Sequence, residues 1–488
     1  MIFRPDYIEA IKPFINQPLV KILAGIRRCG KSTIFEMLKE ELLSRNVPES
    51  CIIMKRYTEM DIPENITAKQ MYDELIAEIA GKEKCYILLD EIQEIKGWEK
   101  AVNSLLEGTN ADVYVTGSNS KLMSSEISTY LTGRYVLIPV FTLSFREYLD
   151  FKANSTLSRR ELLEEYICSG GFPIIAIGDY ETQPAYQIVN GIYHTVVSRD
   201  IVKRHRINKQ DLFDRVVKYV IENIGKTFSA NSISNFLKNE HRKISVESIY
   251  NYLRWLEQAF IIYPCARYDL QGKSILKTQE KYYLADISLK YALMGYNRKM
   301  LDGVMENIVF LELKRRGYDV FIGKNDTKEI DFVAIRRDEK IYVQVCVQLP
   351  EKSDREVGNL MEIKDHYPKY VVTLNDLDVG IENGIKIDKE IVYGAALLHD
   401  IGRAISVENH EIESVKTARE ILKKCEYTEN EIDIICNAIE SHREKSSELK
   451  DLSDILAVAD KISRQCYSCK AIDQCYWSDS KKNMEIEY

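Results

Sequence analysis

At 488 residues and 56.6 kDa the chain exceeds what one hydrophobic core fills, so three or four domains are expected. Hydrophobic residues make up 45% and charged residues 29%, and a net charge of −8 excludes a chain devoted wholly to nucleic acid. No apolar run approaches the ~18 residues of a membrane span, "MIFRPDYIEAIKPF" lacks the apolar centre of an export signal, and eleven cysteines without such a signal suit a reducing cytoplasm.

The first chemical signal is "VKILAGIRRCGKSTIFEMLKEELL". Val20 to Leu23 reads as a buried strand, and from Ser32 onward the apolar spacing is helical. Between them Gly25, Gly30, Lys31 and Ser32, with Thr33 beside them, fit G-x-x-x-x-G-K-[ST] in the strand–loop–helix setting that this motif needs. The glycines let the loop wrap a phosphate of ATP, amide N–H groups at the helix start face the anion, and Lys31 reaches the β- and γ-phosphates. Ser32 offers its hydroxyl to Mg²⁺. Next, "CYILLDEIQEIKGWEK" is a strand that delivers Asp90 to the Mg²⁺ shell and Glu91 to polarise an attacking water. A third strand, "DVYVTGSNSKLM", ends in Ser118 and Asn119, polar groups suited to sensing the γ-phosphate. Arg134 in "LTGRY" follows a glycine, and two readings stand side by side. It stabilises transition-state charge, within the chain or across a subunit boundary, or it is a surface arginine on a turn.

The stretches "AGIRRCGKST", "LLDEIQ", "VTGSNSKLM", "LTGRY", "FTLSFREYL" and "CSGGFP" occur in this order over most of residues 1 to about 200. In this the chain resembles a family of bacterial and archaeal AAA+-type ATPases. The resemblance implies that residues from Glu161 to about Arg204, with "GGFP" at Gly170 to Pro173, form a helical lid.

In the middle of the chain, "FSANSISNFLKNEHRKISVESIYNYLRWLEQAFIIYPCARYD" reads as two short helices and a β-type run. The second helix is amphipathic through Val246, Ile249, Tyr252 and Leu253. This is the layout of a winged helix, which either enters a DNA groove or docks a protein. The preceding "RDIVKRHRINKQ" adds local positive charge. Residues 303 to 348 then read as a helix running into a strand and two alternating strands. That layout resembles a restriction-nuclease-like fold, with Glu306 and Asp331 at its acidic positions. Gln344 and Cys346 stand where an acidic residue and a lysine would be required, so an inactive scaffold or DNA-docking unit is expected.

From Asp388 the pattern is continuous helix, with His399, Asp400, His410, His442 and Asp460 among the apolar positions. As a set they resemble the HD superfamily of metal-dependent phosphohydrolases, which implies a divalent transition metal on His and carboxylate ligands. A further histidine from a preceding helix is missing from this pattern. His366, 33 residues before His399, lies in a turn-and-strand stretch instead. The tail carries Cys466, Cys469 and Cys475, three thiols that hold Zn²⁺ or an Fe–S cluster if a fourth ligand exists, or else stay free or form a redox disulfide. The two family patterns meet near Ile387–Asp388, each short of one helix, as at a join between two originally separate proteins.

The expected fold is multidomain α/β. An AAA+-type P-loop core of parallel sheet with a lid spans residues 1–204, and a winged helix spans 205–270. An inactive nuclease-like α/β domain follows over 271–387, and an all-α, truncated HD-like domain with a Cys-rich tail over 388–488. The expected function is a cytoplasmic, Mg²⁺-dependent ATPase coupling nucleotide state to DNA, a protein partner or further copies of itself. The rivals are an HD phosphohydrolase with a regulatory ATPase half, and an ATP-switched binding module without turnover.

Overall fold

A computed structural model describes residues 2–58, 63, 65–119, 122, 130–131, 133–178, 180–207, 209–270, 272, 274–295, 301–325, 328–348, 355–374, 381–382, 385–386, 389–404, 410–425, 427–441, 452–453 and 456. They fall into two compact units. The first holds the described residues up to Val345, with Val357–Ile363 and Tyr367–Tyr370, and the second holds the remainder.

In the first unit, β1 (Val20–Ala24), β2 (Ile52–Arg56), β3 (Tyr86–Asp90), β4 (Asp112–Gly117) and β5 (Tyr135–Pro139) form a sheet in the order β2-β3-β4-β1-β5. Every pairing is parallel. β1, β3 and β4 are buried along their whole length, which is why their apolar residues do not alternate with exposed ones; the polar exceptions, Lys21 in β1 and Asp112 in β4, are buried with them. Helices α1 (Pro5–Ile11), α2 (Lys31–Ser44), α3 (Ala68–Ile79) and α4 (Trp98–Gly108) accompany the sheet. At its amino-terminal edge Lys21, fully buried, pairs with Asp112 and donates to the Gln17 carbonyl at 2.9 Å. Asp112 also accepts the Asn16 N–H at 2.7 Å and the Tyr114 hydroxyl at 2.8 Å, so this buried charge pair has its polar atoms satisfied.

Beyond the sheet come α5 (Phe145–Phe151), α6 (Arg159–Ser169), α7 (Pro173–Ile177) and α8 (Thr182–Val196), the last continuing through a π-helical turn at Val197–Val202. Ser144 and Ser158 each close a capping box with the glutamate three residues on, which sets where α5 and α6 start. After α9 (Gln210–Glu222), α10 (Ala230–Asn239) and α11 (Val246–Gln258) are the two helices expected of a winged helix. Ile249, Tyr252 and Leu253 are buried as their spacing predicts, and Val246 is half-buried. One continuous core runs from Tyr7 to Leu289, so the ATPase sheet and the α9–α11 helices share it.

A second sheet follows, built from β6 (Ile262–Asp269), β7 (Ser274–Leu284), β8 (Asp319–Asn325), β9 (Lys328–Arg336) and β10 (Glu339–Cys346), with Lys369–Tyr370 of an outer strand, β11 (Lys369–Thr373). Its order is β11-β10-β9-β8-β6-β7. Helices α12 (Ser288–Met294) and α13 (Leu301–Arg315) separate β7 from β8. The boundary expected at residue 270 therefore falls inside the β6–β7 hairpin. β6 is paired antiparallel to β7 and parallel to β8, which makes the expected wing part of this sheet.

In the second unit α14 (Lys389–Leu398), α15 (His410–Lys424) and α16 (Glu429–Ser441) pack on a small core containing Ala395, Ala418, Leu422, Ile432 and Ile435. A Cβ at Gly394 would come 2.8 Å from Ile435 Cδ1, so this glycine sets a close approach of α14 to α16. The helical character expected after Asp388 holds over the described stretch. No described helix is long and apolar enough to cross a membrane, and the eight described cysteines are free thiols.

Candidate functional site

The loop after β1 sits at the carboxyl edge of the sheet, between the ends of β4 and β5. A Cβ at Gly25 would lie 1.9 Å from the Val140 carbonyl oxygen, so only glycine fits under that strand exit. Gly30 takes φ 102°, the left-handed region, and starts α2. Lys31 Nζ folds back on the loop, donating to Gly25 O at 3.0 Å and Ile26 O at 3.1 Å, with Glu91 Oε1 at 3.8 Å. Asp90 ends β3 and accepts the Thr116 hydroxyl. Glu91 adopts φ 54°, rare for a residue with a Cβ. Its N–H donates to Thr116 Oγ1 at 3.0 Å, and its carboxylate accepts Ser118 Oγ at 3.0 Å and the Gln93 amide. Burial pushes the Glu91 carboxyl up, but Lys31 and Arg27 outweigh it and hold the group below the usual carboxylate range.

Gly30, Lys31, Asp90 and Glu91 line a cavity of about 1000 Å³. Of the residues expected at the site from the sequence, Gly30, Lys31, Ser32, Thr33, Asp90 and Glu91 line it. Asn119 follows β4 as a buried residue and is not part of that lining. The helical segment after the core supplies another share of the wall: Pro173, Ile174, Ile177, Tyr180, Ile188 and Arg199. Ile174, Ile177 and Tyr180 are largely exposed apolar side chains.

Arg134 is not brought here. Val20 N–H donates to its carbonyl at 3.0 Å, and Val20 pairs with Tyr135, so Arg134 stands at the amino-terminal edge of the sheet. Its guanidinium bonds Asn103 at 3.1 Å and Glu107, both on α4. The within-chain transition-state role is thereby corrected. The residue precedes its strand, whereas in a parallel sheet the carboxyl ends build the site.

Several residues were missed by reading the sequence. Arg199 and Asp200, in a stretch read as positive charge near DNA, belong to this site instead. Asp200, buried, bonds Arg27 of the loop at 3.2 and 3.3 Å, while Arg199 lines the cavity. Arg4 is the other omission. Almost fully buried, it donates NH1 to the loop carbonyl of Cys29 at 2.8 Å and NH2 to Phe141 O at 3.1 Å. It also bonds both carboxylate oxygens of Glu147 on α5, at 2.7 and 3.1 Å. Burial alone would raise the Glu147 carboxyl, but the Arg4 bonds keep it below its ordinary range. In the sequence Glu147 stood only within "FTLSFREYL", one of the stretches that carry the family resemblance, with nothing to link it to Arg4.

Of the nuclease-like positions, Glu306 on α13 and Asp331 on β9 come together around Lys281 of β7. Burial raises the Glu306 carboxyl against the pull of Lys281. Gln344 accepts the Asp331 N–H at 3.2 Å, and Cys346 ends β10. In the second unit His399, Asp400 and His410 are neighbours. His410 Nε2 lies 3.2 Å from Asp400 Oδ1, and His399 Nε2 lies 3.7 Å from Asp400 Oδ2. A Cβ at Gly402 would come 2.3 Å from the His410 carbonyl, so the glycine of "HDIGR" permits this turn to close on α15. His366 lies in an irregular stretch before β11 rather than on a helix. His442, Asp460, Cys466, Cys469 and Cys475 lie outside the described residues, and among the described residues no group of three or more His, Cys, Asp or Glu is arranged to hold a metal.

Removing one partner of a buried, bonded ion pair strands the other. Arg4→Ala should therefore lower unfolding free energy by about 3–5 kcal/mol, read by chemical denaturation, with Arg4→Lys recovering part of the loss. A loss indistinguishable from that of an exposed arginine would contradict the brace.

The family described as an AAA domain matches residues 17–149, one described as a domain of unknown function matches 160–300, and one described as an HD domain matches 361–465. The HD match starts upstream of the boundary expected at 388 and takes in His366. An uncharacterized protein of Haemophilus influenzae is 37% identical over 377 residues, 76% of this chain and 93% of that protein. One of Clostridium beijerinckii is 45% identical over 113 residues, 22% of this chain and 71% of that protein. Among solved structures, the Walker-type ATPase of Pyrococcus abyssi overlaps 60% of this chain and 96% of its own, with a TM-score of 0.44 and 15% identity. The chain belongs to the family of the Haemophilus protein, carrying an AAA domain of ATPase type in its amino-terminal part and an HD domain in its carboxy-terminal part.

Proposed function

We propose that the cavity binds and hydrolyses ATP, and that nucleotide occupancy is transmitted to a partner through α7–α11. The observation that carries this reading is the convergence of Lys31, Asp90 and Glu91 on one cavity that also takes Arg199 from outside the sheet. Four basic side chains (Arg27, Arg28, Lys31, Arg199) against two acidic ones suit a polyphosphate. The exposed Ile174, Ile177 and Tyr180 suit the flat face of a nucleobase. Ser32 and Asp90 would hold Mg²⁺, which when bound draws charge from the phosphate oxygens. Lys31 exchanges its two loop carbonyls for phosphate oxygens. Glu91, kept ionised and fixed by Ser118 and Gln93, orients the attacking water and accepts its proton.

Transmission follows from shared packing. The wall between Pro173 and Arg199 belongs to helices whose buried faces join the same core as α9–α11. The exposed face of α11 carries Glu247, Tyr250, Arg254 and Glu257, one base against two acids. That balance favours a protein partner over DNA phosphate. Lys31→Ala should cut ATP turnover by roughly 10²–10³-fold, the scale of losing one donor to developing charge, and Arg199→Ala should cut it in the same sense. Wild-type turnover in Lys31→Ala would retire the reading.

A second reading, a metal-dependent phosphohydrolase in the carboxy-terminal unit, is favoured by the approach of His410 to Asp400 beside His399. Elemental analysis of the intact chain should find a transition metal that Asp400→Ala loses. Metal-free wild type, purified without chelator, would end this reading.

A further inference from the structure

On the second sheet lies a largely buried charge cluster that nothing in the ATP reading uses. Lys281 on β7 is enclosed, its side chain 4% exposed. Its Nζ lies 2.9 Å from Glu329 Oε1, 3.2 Å from Glu306 Oε2 and 4.0 Å from Asp331 Oδ1. The three carboxylates come from β9 and α13 and stand around one position. An ammonium stands in that position.

The remaining bonds are arranged around the ammonium. Tyr283 donates its hydroxyl to the same Glu306 oxygen at 3.0 Å. The second oxygen of Glu329 faces Arg267 at 3.8 Å, and the second oxygen of Asp331 accepts the Val345 N–H at 2.8 Å. Gln344, where a fourth acid is expected from the nuclease-like pattern, uses its side-chain oxygen on the Asp331 N–H. A Mg²⁺ or Mn²⁺ needs oxygen ligands at about 2.0–2.2 Å around a centre of its own, and that centre is filled by a fixed positive charge. The residues present therefore do not fit a metal as they stand.

We propose that Lys281 is the resident cation of the Glu306–Glu329–Asp331 cluster: it satisfies the carboxylates that would otherwise recruit a divalent metal, and it keeps that metal out. The cluster is then a metal-independent structural centre that ties β7, α13 and β9 together. Removing the ammonium opens a divalent site.

Equilibrium dialysis of the full chain with Mn²⁺, in the absence of nucleotide, tests this. Wild type and Glu306→Gln should bind the same number of Mn²⁺ per chain. Lys281→Met should bind one more, and Lys281→Met/Glu306→Gln should return to the wild-type number. If Glu306→Gln alone costs one Mn²⁺, the cluster is already a metal centre with Lys281 at its side, and the proposal fails. That comparison does not depend on how well Lys281→Met folds. A folded Lys281→Met chain with no additional Mn²⁺ also overturns it.

Discussion

A polyphosphate loop must present its amides outward while its own carbonyls find partners inside; in this chain Lys31 takes two of those carbonyls, and one buried guanidinium takes a third and ties the loop to its surroundings. Arg4 holds the Cys29 carbonyl of the loop, the Phe141 carbonyl just past β5, and both oxygens of Glu147. The carbonyl of Val140 blocks any side chain at Gly25. The loop is thus shaped by the strand exits beneath it without any ligand, so the proposed nucleotide binding carries little ordering cost. The helical wall of the cavity depends on the same frame, because Asp200 reaches it by bonding Arg27 of that loop.

Two buried lysines show how surroundings decide a role. Lys31 rests on two neutral carbonyls with a single carboxylate 3.8 Å away, so its charge is available to an incoming phosphate. Lys281 is surrounded by three carboxylates within 4.0 Å, and its ammonium is bound more firmly to its proton than a free lysine would be, since their pull outweighs burial. A buried charge so fully compensated favours a fixed arrangement over exchange with a ligand. One lysine is poised for anions and the other is committed to its own chain.

The readable parts of this chain were local ones. The strand–loop–helix from Val20 to Ser44, the acidic end of β3 and the two helices of 230–258 are set by periodicity and motif within a few turns of chain, and they fold as read. Arg4–Glu147 spans 143 residues and Arg27–Asp200 spans 173, and no spacing rule links such pairs. Arg134 misled because a Gly-Arg turn looks alike on either side of a strand, while only the carboxyl side meets the loop. The β6 run resembled a wing because a strand's pattern alone does not tell which sheet it will join. Lys281 went unremarked because its meaning depends on α13 and β9, both distant in sequence.

The central claim is that one cavity, walled by the loop, the end of β3 and the segment from Pro173 to Arg199, takes ATP. Hydrogen–deuterium exchange of the intact chain, with and without Mg²⁺ and a non-hydrolysable ATP analogue, tests it most directly. The account predicts that residues 25–33, 90–93 and 173–199 gain protection together. Protection confined to other segments, or none at saturating nucleotide, would contradict it.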